Sequence, residues 1–74
     1  MAGINIDTIQ RMWNDTPDYS WNSLRQGLDR ILGEQIISAE EYENLKWAIT
    51  KLENLGEEFP ASASDLFSEL SHYL

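Results

Sequence analysis

The chain has no cysteine. Disulfides and thiolate metal sites are excluded, so a domain of 74 residues must draw its stability from helix packing or from association. No apolar run is long enough to cross a bilayer. Met1-Ala2-Gly3-Ile4-Asn5 has neither a basic region nor an apolar stretch, so no signal peptide is expected there. A cytoplasmic setting is the expectation, since a cysteine-free chain is compatible with a reducing compartment. Repeats, low-complexity segments and useful runs of apolar–polar alternation are all missing, which removes β architectures. Phosphate loops, dinucleotide fingerprints and nucleophile elbows are missing too.

Basic residues are scarce. Thirteen acids stand against five bases, for a formal net charge of −8. After Lys51 the chain carries Glu53, Glu57, Glu58, Asp65 and Glu69 and no lysine or arginine, whereas Arg11, Arg25 and Arg30 all precede Gly33. Such a surface repels nucleic acid and anionic lipid, and it suits a protein partner with a basic surface. Solubility alone accounts for a net charge of this size, since small soluble domains reach a magnitude of about 8.

What the chain does contain is helical. Trp21, Leu24, Leu28, Ile31 and Leu32 recur on one helical face and end at Gly33, which is read as a left-handed terminator. Ser38-Ala39-Glu40-Glu41 has the form of a capping box, and Ile37 before it pairs with Tyr42 as a hydrophobic staple. The next helix is predicted over 39–55, with Gly56 closing it and Tyr42, Leu45, Ile49 and Leu52 as its core stripe. The two helices form a central αα-hairpin. Over Gly33 to Tyr42 the corner loosely resembles helical corners of bacterial oligomerisation modules; capping and stapling produce the same pattern, and no function follows from it.

Shorter helices flank the hairpin. Asn5 or Asp7 caps a first helix through about Asn14, with Ile6, Ile9, Met12 and Trp13 as its apolar face. Residues 1–4 are expected to fray. Asn14-Asp15-Thr16-Pro17-Asp18 is a turn, and Ser20 caps the second helix. Trp13, Tyr19 and Trp21 around that turn predict an aromatic lid over one end of the bundle. Gly27 sits mid-helix, where close approach of a neighbouring helix would explain it and so would mere tolerance. Ser62 or Ser64 caps a last helix to about Tyr73, with Leu66, Phe67, Leu70, Tyr73 and Leu74 on its apolar arc. The expected architecture is all-α, one small four-helix bundle.

Candidate sites are few. Glu69 and His72 have the spacing of a metal-binding Glu-x-x-His pair, but a di-metal site needs further ligands and His72 is the only histidine. Aligning Glu41 with the last ligand of a calcium loop puts Arg30 first and Gln35 at the glycine position, which the loop does not tolerate. No metal, cofactor or catalytic residue is expected, and the chain is read as a non-enzyme. The remaining feature is Trp47, opposite the core stripe among acids. Glu40, Glu43, Trp47, Glu53, Glu57, Glu58, Asp65 and Glu69 form the candidate partner-binding set, on the reasoning that interfaces concentrate energy in aromatic anchors ringed by polar groups. The competing reading buries Trp47 in the core.

By class analogy the charge pattern is similar to that of small acidic helical inhibitors carried by phage, in which carboxylates stand in for nucleic-acid phosphates. The functional expectation is an acidic inhibitor or adaptor of a basic, nucleic-acid-handling protein, without direct nucleic-acid or membrane binding. An oligomerisation module that forms a homodimer, or an antitoxin or immunity protein, are the alternatives.

Overall fold

Polar caps set every helix start in the computed structural model, which describes residues 4–74. The Asn5 carboxamide oxygen accepts the Thr8 amide at 3.0 Å and opens α1 (Ile6–Asn14). Ser20 accepts the Ser23 amide at 3.2 Å and opens α2 (Trp21–Gly33). Ser38 accepts the Glu41 amide at 3.1 Å while the Glu41 carboxylate accepts the Ser38 amide at 3.2 Å, so the reciprocal capping box is complete at the start of α3 (Ala39–Asn54). Ser62, not Ser64, accepts the Asp65 amide at 3.1 Å and opens α4 (Ala63–Ser71). Each bond satisfies an amide that has no partner inside its own helix.

The α2–α3 corner departs from the expected geometry. Gly33 is the last residue of α2 and is not left-handed; the positive φ falls two residues later, at Gln35, with φ 63°. There the Gln35 amide donates to the Leu32 carbonyl and the Ile36 amide to the Ile31 carbonyl, both at 3.0 Å. These paired bonds need their left-handed residue at Gln35, because that is where the reversed chain reaches the last free carbonyls. The end of α3 repeats the motif with glycine in place: Gly56 has φ 75°, and the Gly56 and Glu57 amides donate to the Glu53 and Leu52 carbonyls.

The helices form a ring. α1 packs on α2, α2 on α3, α3 on α4 and α4 back on α1, with no backbone approach within 8 Å across either diagonal among the described residues. Ile9 and Met12 of α1, Leu24, Leu28 and Ile31 of α2, Leu45, Ala48, Ile49 and Leu52 of α3, and Leu66 and Leu70 of α4 fill the centre, with Ile4 and Ile37 sealing it. Each fully buried aliphatic side chain contributes about 1.5–3 kcal/mol relative to exposure. At Gly27 a Cβ would stand 3.1 Å from the Met12 carbonyl oxygen and 3.2 Å from Met12 Cγ, so the glycine marks where α1 and α2 come closest.

Four further expectations change. Ile6 is exposed rather than core, because at 100° per residue it falls at the edge of the arc that the buried Ile9 and Met12 centre. Ile4 is buried, not frayed; the rest of that expectation, on residues 1–3, lies outside the described residues. α3 ends at Asn54, with Leu55 as its cap, and α4 ends at Ser71 rather than Tyr73. No helix among the described residues is long and apolar enough to cross a membrane.

Candidate functional site

α3 turns Glu40, Glu43 and Trp47 outward together, because they follow one another at three- and four-residue steps. The core reading of Trp47 does not hold: its side chain is 51% exposed. Tyr73, just past α4, meets the indole edge to face with ring centroids 6.1 Å apart, and Lys51 Nζ lies 5.2 Å from the indole centroid. Trp47 is therefore propped by Tyr73 and covered in part by Lys51, with half of its surface left open. On α4, Asp65 and Glu69 are exposed at a four-residue step that continues to Tyr73.

The ion pairs divide the acids into two groups. Arg11 holds Glu34 at 2.6 Å, Arg25 holds Glu53, and Arg30 lies 3.6 Å from Asp15. The lysines lie over aromatic rings, Lys46 over Tyr42 and Lys51 over Trp47. Among the described residues, Glu40, Glu43, Glu57, Glu58, Asp65 and Glu69 enter no ion pair, whereas Glu53 does. The arginines sit on α1 and α2 and reach acids near their own side of the ring; none pairs with an acid of α4. Glu58, expected on the Trp47 side of α3, lies past the end of that helix in the connection to α4, and Glu57 lies beside the Gly56 turn, where it was expected.

A second cluster lies at the end of the bundle where the α1–α2 and α3–α4 connections meet. Trp13 stacks on Phe59 at 4.7 Å with an interplanar angle of 17°, Tyr19 approaches Trp13 at 5.5 Å, and Trp21 meets Phe59 edge on at 5.4 Å. The Trp21 indole N–H donates to the Glu57 carbonyl at 3.1 Å, tying the two connections together. This is the expected aromatic lid with Phe59 added; an aromatic beside Pro60 just after the Gly56 turn was its only trace in the sequence. Trp13, Tyr19, Phe59, Pro60 and Ala61 line an open notch there.

Tyr19 holds a positive φ of 51°, a conformation that bulky residues rarely take. The flanking residues fix it. The Asp18 carboxylate accepts the Ser20 hydroxyl at 2.8 Å and the Ser23 hydroxyl as well, and the buried Thr16 hydroxyl donates to the Met12 carbonyl at 3.0 Å. The Ser23 bond first, then the Ser20 bond, hold the Asp18 carboxyl below its ordinary value. Across the α2–α3 face the Tyr42 hydroxyl donates to Asp29 at 2.6 Å, and that bond pushes the phenol above its usual range.

No group of three or more histidine or acidic side chains among the described residues is placed to hold a metal ion. Glu69 and His72 are both exposed at the end of α4. Comparison of the chain with protein-family models, curated proteins and solved structures finds no match.

Proposed function

We propose that this chain is a protein-binding inhibitor or adaptor, not an enzyme, and that its partner presents a basic surface. The observation that carries the reading is Trp47: half exposed, propped by Tyr73, and on a molecule whose acids Glu40, Glu43, Glu57, Glu58, Asp65 and Glu69 are left without ion pairs. Charges of that kind steer a basic partner, and an exposed tryptophan holds it. A nucleic-acid-handling protein fits best, because its groove is already built to accept spaced negative charge, so the chain acts as a nucleic-acid mimic of the kind phage inhibitors employ. A cytoplasmic site of action accords with the absence of cysteine.

The test is capture of a partner on the immobilised protein at low and high salt, followed by kinetics with the identified protein. Joint reversal of Glu40 and Glu43 to lysine is expected to slow association, most at low salt. Trp47→Ala is expected to speed dissociation by a loss of about 2 kcal/mol or more. Circular dichroism of both free variants should match the parent. Unchanged association of the reversed protein at low salt would leave the acids a solubilising role only. The second reading, a homodimer, is favoured by the exposed Ile6, Ile36 and Leu55; sedimentation in high salt, where apolar association persists, decides between them.

A further inference from the structure

We propose that the notch between Trp13, Tyr19 and Phe59 receives an arginine side chain of the basic partner. The assignment rests on the partner being basic, as inferred above, and it names a second anchor away from Trp47. Three observations carry it. The walls are aromatic faces and edges, with Pro60 and Ala61 completing the lining, and no lysine or arginine lines the notch. Acids flank it in the chain on both sides: Asp18 precedes Tyr19, and Glu57 and Glu58 precede Phe59. Tyr19 is 60% exposed although its backbone is held in a strained conformation. The strained backbone sets the Tyr19 ring 5.5 Å from Trp13 and 6.5 Å from Phe59 as one wall of the notch, and such strain gathers where ligands are clamped.

The chemistry selects the occupant. Aromatic faces attract a cation through their quadrupoles, and arginine adds a flat guanidinium that lies against a ring. The exposed Tyr19 ring, tilted 47° from Trp13, offers such a plane, and the net charge of −8, with Asp18, Glu57 and Glu58 next to the lining residues in the chain, supplies the opposite charge. A neutral apolar side chain would use the rings but gain nothing from the acids.

Capped arginine (acetylated, with a methylamide) is the probe, and capped citrulline is its neutral isostere. The indole N–H resonances of Trp13, Trp21 and Trp47 are followed by NMR, Trp21 being already engaged by Glu57. Expected is a saturable shift at Trp13 with arginine, weaker with citrulline by about two- to five-fold. Tyr19→Gly removes the ring while accepting the same φ, so it folds and loses the shift; Tyr19→Phe keeps it, and Trp47→Ala leaves it unaltered. Equal affinity for citrulline, or a Trp13 response that survives Tyr19→Gly, overturns the assignment. A response confined to Trp47 also overturns it, yet leaves the acidic face intact as a binding surface. Loss of salt-dependent partner capture alongside a normal Trp13 response strikes the broader reading instead.

Discussion

Gln35 occupies a backbone position that glycine takes without strain, while Gly33 occupies a helical one that alanine prefers. Gln35→Gly is expected to stabilise the protein by about 0.5–1 kcal/mol, the relief of a left-handed side chain less the entropy glycine loses. Gly33→Ala, whose Cβ meets nothing within 4 Å, should stabilise by up to about 1 kcal/mol. Urea midpoints measure both; a fall in either would place the strain elsewhere. Gly27 is the opposite case. Alanine gains helix propensity there, but its Cβ presses on the Met12 carbonyl, a backbone atom fixed within α1. Overpacking of about 1–3 kcal/mol outweighs a propensity gain of about 1 kcal/mol, so Gly27→Ala should lower the midpoint. The sequence left Gly27 open between close approach and mere tolerance, and the Met12 backbone beside it decides for close approach. The sequence misled at Gly33, since glycine marks the neighbourhood of a turn more reliably than the residue that reverses.

Caps were the most legible elements because capping is local chemistry: an oxygen and an amide three residues apart suffice. Ser38→Ala should destabilise the fold by about 0.5–2 kcal/mol, and Glu41→Ala should destabilise it in the same direction, since each removes half of the reciprocal pair at the start of α3. Thermal and urea unfolding check this, and unchanged midpoints would mean that tertiary packing alone starts the helix. The α1–α2 connection carries a pH signature. Its Asp18 carboxyl is held below 3.8 by Ser23 and Ser20, so its contribution to stability is present above that pH and is lost as pH falls through the lowered value. NMR titration should find the Asp18 midpoint below 3.8, and Ser23→Ala should raise it. Contacts between residues far apart in the chain were not readable beforehand. Phe59 reaches Trp13 across the whole hairpin, and the arginine pairs join helices whose facing is set by packing, not by spacing. The candidate face was legible as a stripe on α3; its division into paired Glu53 and unpaired neighbours depended on where α2 lies.

At the scale of the molecule, the ring order decides how the protein comes apart. Every helix contact joins neighbours along the chain except α1 on α4, which joins its two ends. Contacts between chain neighbours close small loops and form early, so folding in microseconds to milliseconds is expected. The α1–α4 seam closes the longest loop of the chain, so it is expected to form after the hairpin. Ile31→Val, in the hairpin, should therefore act mainly on the folding rate, and Ile9→Val, in α1, mainly on the unfolding rate, each at a cost of about 0.5–1.5 kcal/mol. In native-state hydrogen exchange the amides of α1 and α4 should become exposed through a partial opening that leaves α2 and α3 protected. If the two ends of the chain part first in that experiment, Trp13, at the end of α1, and Tyr73, just past α4, are the aromatics whose packing on Phe59 and Trp47 would report it.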